Sequence, residues 1–223
     1  MPTSHPHQLN QIVELIMLTD PHSLLDVGIG FGKYGVLARE YLELYGEKTK
    51  EYGKWTRVID GIEAFPEYIT PIHRFIYNDI YIGNALEIIS GLEKNYDLVL
   101  LIDVIEHFEY RDGIELIEEI LKKSRNVIIS TPKGEYPQGE LFGNPYETHR
   151  SVWKKEDFKR FKNCFFLPNE YSIICYIGED AKRIRWILRK EKIKKVIKNY
   201  FPFLIPVYRV FKNYLKRSHA LQR

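Results

Sequence analysis

The chain has 223 residues, 44% hydrophobic and 28% charged, enough apolar material for one α/β domain with a buried core plus an appendage. It shows no low-complexity segment, internal repeat, basic leader or apolar run of spanning length, so disorder, solenoid repeats and a transmembrane anchor are not expected and a cytoplasmic location is. The net charge of +3 hides a division: residues 182–223 hold 14 Lys and Arg against the single acid Glu191, a surplus of +13, whereas residues 1–181 carry −10.

Residues 7–18 predict a short helix, with Leu9, Ile12, Val13, Ile16 and Met17 at helical spacing. SLLDVG reads as a buried strand, and KYGVLAREYLELYG as a helix stopping at Gly46. EKTKEYGKWT is a polar loop, RVIDGIEA a second strand ending in an acid, and FPEYITPIH a stretch whose two prolines limit it to short turns. IYNDIYIGNALEII reads as strand then helix, YDLVLLIDV as the most apolar strand, and RDGIELIEEILKKS as an amphipathic helix. NVIISTP is a strand cut off by Pro132. After a Gly- and Pro-rich loop, KKEDFKRF is a short helix and CFFLPNEYSIICYIG a terminal hairpin. This alternation predicts a doubly wound, mainly parallel sheet with an antiparallel end, whose ligand lies at the carboxyl edges of the strands. Cys164 and Cys175 lack metal-ligand spacing and read as buried thiols.

LLDVGIGFGKYG, Leu24 to Gly35, places four glycines and a lysine directly after the first strand. A phosphate-binding P-loop is excluded, because the Gly28 to Gly32 spacing is one residue short and Tyr34 stands where the magnesium-binding hydroxyl belongs. A dinucleotide fingerprint fits only as Gly30, Gly32 and Gly35, two residues late for the strand end. In the register that starts at the strand end, Asp26 is followed by Gly28, Gly30 and Gly32, a loop that lets backbone approach a ligand closely.

DVGIGFG, Glu63 at the end of the next strand, GNALE after the third and YDLVLLIDVIEHF around the fourth resemble, in order and spacing, the class I S-adenosylmethionine-dependent methyltransferases. The resemblance covers about residues 20–178 and is nearest the small-molecule and glycan O-methyltransferases, in which an acid-His pair follows the fourth strand and Thr-Pro ends the fifth. It implies a seven-stranded sheet and a methyltransferase domain over residues 1–180; the basic helical tail read over 181–223 is where the sequence departs furthest from that pattern. It also implies S-adenosylmethionine as cofactor, with Gly28, Gly30 and Gly32 beside its methionine and ribose and Asp26 near its ammonium. Glu63 would meet the ribose hydroxyls, Asn84 and Ala85 the adenine, and Asp103 and Val104 the methionine amine. Asn84 departs from the family's usual Asp, although an amide still accepts from an adenine amino group.

Methyl transfer to a hydroxyl needs alignment and a proton acceptor. His107, paired with Glu106, and His149 are the candidate bases, since imidazole titrates near neutrality. Tyr34, Glu106, Asn144, Tyr146 and Arg150 are expected to meet a polar, hydroxylated acceptor, GNPYETHRSVW also concentrating Glu147, His149 and Trp153; the alternative is a structural loop whose Trp153 packs on the core and whose Arg150 pairs with an acid. Glu147 and His149 lack a second ligand set at metal spacing along the chain, so no metal is expected. The alternatives are a cofactor-binding module without turnover, an NAD-dependent enzyme, and a nucleic-acid methyltransferase, the last opposed by the acidic body and by DVIEHF where a base-flipping motif would stand. In the tail, Trp186, Ile193, Val196 and Ile197 share one side of a first segment, and Val207, Phe211, Tyr214 and Leu215 of a second after Pro206. Basic residues flank both, so an anionic membrane surface is a candidate partner for residues 182–217, against packing on the body or on another subunit.

Overall fold

The computed structural model describes residues 4–45 and 51–200, and residue 46, expected to end a helix, lies outside them. Among the described residues seven strands form: β1 (Ser23–Val27), β2 (Val58–Glu63), β3 (Ile80–Ile82), β4 (Leu98–Ile102), β5 (Asn126–Pro132), β6 (Cys164–Leu167) and β7 (Ser172–Gly178). They make one sheet in the order β3-β2-β1-β4-β5-β7-β6. Every pairing from β3 to β5 is parallel, and β7 runs antiparallel between β5 and β6. The expected doubly wound sheet with an antiparallel hairpin is therefore the fold. β4 is buried at every position, which is why it reads as an unbroken apolar run rather than an alternation.

The helices are α1 (Leu9–Thr19), α2 (Lys33–Arg39), α3 (Pro71–Ile76), α4 (Ala85–Gly91), α5 (Tyr110–Lys123), α6 (Lys155–Phe158) and α7 (Ala181–Tyr200). One face of α5 buries Ile114, Leu116, Ile117 and Ile120 into a core shared with Val99, Leu101, Val127 and Ile129 of the sheet. Trp153 is buried in the same core.

Three elements differ from expectation, each for a local reason. The helix after the glycine loop gives way to a π-helical turn at Glu40–Leu44. There Arg39 and Glu43 form a buried ion pair at 2.6 Å, and Glu43 also accepts the Thr56 and Arg57 N–H groups, so both side chains are drawn inward across the wider turn. The proline-containing stretch does hold a helix, α3, because Pro71 occupies its first position, where the missing N–H costs nothing. β3 starts only at Ile80, after Asn78 and Asp79 have already bonded to β2 through backbone and, at Asn78, through a side chain that accepts from Arg39 and from the Ile59 N–H.

The chain divides into two compact units, Met1–Ala181 and Lys182–Arg223. In the second unit, α7 carries Lys190 with its ammonium 4.7 Å from the Trp186 ring centre, and Lys194 paired with Glu191. Its one-sidedness is weak, because Ile187 and Leu188 point away from the side shared by Trp186, Ile193, Val196 and Ile197. The second tail segment expected to be amphipathic, 206–217, lies outside the described residues.

Candidate functional site

A cavity of about 350 Å³ opens at the carboxyl ends of β1, β2 and β4. Gly28 and Gly30, both in left-handed conformation with φ +72° and +50°, form part of its wall. A Cβ at Gly28 would lie 2.6 Å from Val104 Cγ2, so only glycine lets the loop lie against the end of β4. Gly30 is held at both faces of its backbone: its N–H donates to Glu63 Oε2 at 2.9 Å and its carbonyl accepts from His73 Nε2 at 2.8 Å. Gly32 opens α2 and does not line the cavity.

Glu63 ends β2 in the cavity wall and also accepts the Phe65 N–H at 2.9 Å; burial raises its carboxyl above the usual range. Asn84 and Ala85 line the same space. Asn84 Oδ1, expected to serve adenine, instead accepts the Leu86 N–H at 2.9 Å and caps α4, which leaves the amide NH₂ as the uncommitted end.

Asp103 and Val104 also border the cavity. Asp103 has φ +55°, a conformation that costs an L-residue about 1 kcal/mol. Its carboxylate accepts from Ser130 Oγ at 2.8 Å and Gln8 Nε2 at 2.6 Å, and burial raises its pKa. Asp26 does not reach the cavity: it is buried beneath the loop, accepts Tyr77 O–H at 2.7 Å, and is pushed by burial up to about 7. A strand-end position is visible in sequence, but which face of the sheet its side chain takes is set by the pleat.

Polar side chains complete the lining: His107, Asn144, Tyr146, Glu147 and Arg150, together with Lys33, Tyr34, Tyr68 and Ser4. Lys33 Nζ donates to the Ser4 carbonyl at 2.7 Å, Ser4 Oγ donates to Tyr34 O–H at 3.1 Å, and Tyr68 O–H donates to Glu147 Oε1 at 3.0 Å. Asn144 is buried with its Oδ1 accepting the Tyr146 N–H. Of these, Lys33 was visible as the lysine within the glycine loop; Ser4 and Tyr68 carry no local motif.

Glu106 and His149 line a second cavity of about 260 Å³, bounded also by Thr131, Tyr136 and Trp153, and Arg150 borders both cavities. Glu106, His107 and His149 present ligand atoms within 4.8 Å of one another. Spacing along the chain hid this grouping, because it is the loop after β5 that brings His149 back to the end of β4. Glu106 is buried and its Oε2 has no hydrogen-bond partner. The Nδ1 atoms of His107 and His149 face the carbonyls of Thr148 and Tyr136, at 3.3 and 2.6 Å. A carbonyl only accepts, so each Nδ1 carries the proton and each Nε2 is left as a lone pair. Burial lowers both imidazoles, His107 to about 4, so both are neutral near pH 7.

No family model matches the chain. An uncharacterised protein of Methanocaldococcus jannaschii is 24% identical over 189 residues, covering 82% of this chain and 76% of that protein. A small RNA 2′-O-methyltransferase of Tetrahymena thermophila is 32% identical over 98 residues, 39% of this chain but only 22% of that enzyme. Among solved structures, the methyltransferase domain of bacterial CtHen1 matches with a TM-score of 0.52 and 16% identity, covering 78% of this chain and 98% of that one. PigF with SAH matches at 0.51 and 14% identity, covering 72% and 51%. The chain thus has the class I methyltransferase fold.

Proposed function

We propose that the chain is an S-adenosylmethionine-dependent methyltransferase that O-methylates a hydroxylated acceptor, a small molecule or a glycan, free or lipid-linked. The observation that carries this reading is one cavity shared by the glycine loop, the acid ending β2 and the imidazole following β4. The cofactor, when bound, supplies an activated methyl on a sulfonium. The chain's part is to bind and align: Gly28 and Gly30 offer bare backbone, Glu63 retains lone pairs beyond the two N–H groups it accepts, and Ala85 offers a first-turn N–H. His107 is neutral and keeps a free Nε2 lone pair to take the acceptor's proton, with His149 beside it at 4.9 Å between ring centres.

Calorimetric titration with S-adenosylmethionine, S-adenosylhomocysteine and NADH tests the cofactor. Binding of NADH alone would overturn the reading. A methyl-donor assay on pooled sugars, nucleotide sugars, quinone precursors and lipid-linked glycans, read by product mass, then finds the acceptor. Binding without transfer to any acceptor would favour a binding module.

A second reading is favoured by the converging Glu106, His107 and His149. One buried carboxyl group, held protonated by its burial until a cation displaces the proton, and two imidazoles with free Nε2 atoms would suit a divalent transition metal, whose open positions would orient an acceptor hydroxyl. The partial likeness to a small RNA 2′-O-methyltransferase makes a ribose 2′-hydroxyl the acceptor to try under this reading. Mn²⁺ titration of the wild type against Glu106→Gln and His149→Ala decides: saturable 1:1 binding lost in both variants supports it, and binding equal in all three removes it.

A further inference from the structure

We propose that His73 and Tyr77, one turn apart at the end of α3, are positioning residues that hold the glycine loop in its cofactor-binding shape. The proposal rests on the reading of the first cavity as the S-adenosylmethionine site.

His73 is fully buried and its hydrogen bonds define its state. The Thr70 N–H donates to His73 Nδ1 at 3.0 Å, so Nδ1 is an acceptor and the proton sits on Nε2. That Nε2–H points to the Gly30 carbonyl at 2.8 Å. The Thr70 hydroxyl lies 2.9 Å from Nδ1 and reinforces the same tautomer. Gly30 is then fixed from two sides, its carbonyl by His73 and its N–H by Glu63 Oε2, the acid expected to receive the ribose. A shift of the His73 ring would move the loop and its link to that acid together.

Tyr77 does the same work one turn on. Its hydroxyl donates to Asp26 Oδ2 at 2.7 Å, beneath the loop, and its ring fills the space that the surrounding glycines leave open. A Cβ at Gly35 would lie 2.4 Å from Tyr77 Cζ, and one at Gly61 3.1 Å from Tyr77 Cδ1. At Gly32 it would meet the His73 ring at 3.3 Å. Gly35 is thus explained by close approach of the Tyr77 ring, while Gly61 is crowded first by Ile29 Cγ2 at 2.7 Å and Gly32 is required by its φ of +84° as well; the two rings stack at 6.2 Å. The imidazole and the phenol touch loop and strand, and neither lines the cavity, so their effect on a ligand is exerted through Gly30 and Asp26.

The test measures S-adenosylhomocysteine affinity by calorimetry and Tm without ligand, for wild type, His73→Phe, His73→Gln and Tyr77→Phe; Tyr77→Phe, which loses the donor to Asp26, is expected to weaken affinity several-fold, and a folded Tyr77→Phe that binds as wild type overturns the part given to Tyr77. His73→Phe keeps a ring but loses the donor, and about a tenfold or greater loss of affinity is expected. His73→Gln can donate to Gly30 and accept from Thr70, and should recover most of it. A merely structural role would lower Tm and leave the affinity of the folded chain unchanged, with no rescue specific to Gln. Should His73→Phe fail to fold, side-chain NMR of the wild type decides: the His73 Nε2–H resonance is expected to shift on ligand binding, and an unmoved resonance overturns the proposal. So does a folded His73→Phe that binds as tightly as wild type. Absence of binding in the wild type itself would sink the cavity reading instead, which keeps the two failures apart.

Discussion

Asp26 is buried with the Tyr77 hydroxyl and the Gly35 backbone as its donors, and its ionisation is exposed to pH. Burial lifts its carboxyl from 3.8 to about 7 in the fold. Between those values the folded chain keeps a proton that the unfolded chain has lost, so stability falls as pH rises through that window and the cost is constant above it. Asp26→Asn can still accept from Tyr77 without titrating. The variant should therefore gain on wild type by about 2 to 3 kcal/mol between pH 5 and pH 8, read from urea unfolding at each pH. A difference that stays flat would mean Asp26 is ionised in the fold throughout. Glu63 is the other residue whose substitution is informative. Glu63→Ala removes the acceptor of Gly30 and Phe65 and, in the proposed function, of the ribose, and should weaken S-adenosylmethionine binding by about 1 to 3 kcal/mol. An effect confined to turnover would show that Glu63 serves the acceptor. The two acids looked equivalent in sequence, each at a strand end; only one reaches the cavity.

At the scale of elements, the loop after β5 is locked to α5 by Trp153. Its ring is buried, its Nε1–H donates to Ser151 Oγ at 2.9 Å, and a Cβ on Gly113 would lie 2.5 Å from its Cζ2. Gly113→Ala raises helix propensity by about 1 kcal/mol, yet the clash is with a ring that has no room to retreat. A net loss of about 1 to 3 kcal/mol in unfolding free energy is expected, and a gain in stability would refute this packing argument. The same loop carries Arg150 and Ser151, whose N–H groups both donate to the Glu106 carbonyl, so His149 is set against His107 by backbone bonds. Those bonds link residues more than 40 positions apart, and no local pattern announces them. α3 is the opposite case: Pro71 and Thr70 are legible start signals, but two prolines in nine residues argued for turns, and the value of His73 depends on what lies above it.

For the whole molecule, the basic surplus of residues 182–223 remains the feature least connected with the cavity. The proposed partner is an anionic membrane, which suits a lipid-linked acceptor, and it is a matter of charge more than of shape since α7 has only weak sidedness. In flotation with vesicles containing anionic lipid, the full chain should bind and release at high salt, whereas a chain ending at Asp180 should not. Equal behaviour of the two would leave the tail as a structural or oligomerisation element. What the sequence by itself determined is whatever is written locally: alternating strand and helix, the glycines after β1, acids at strand ends and an acid-His pair after β4. These follow from backbone periodicity and residue chemistry, which act over a few residues. Only the tertiary structure decided that Asp26 turns to Tyr77, that His73 grips Gly30, and that His149 meets Glu106 and His107. Those depend on strand order and on which face of the sheet each side chain takes, and both are settled by packing the whole sheet at once.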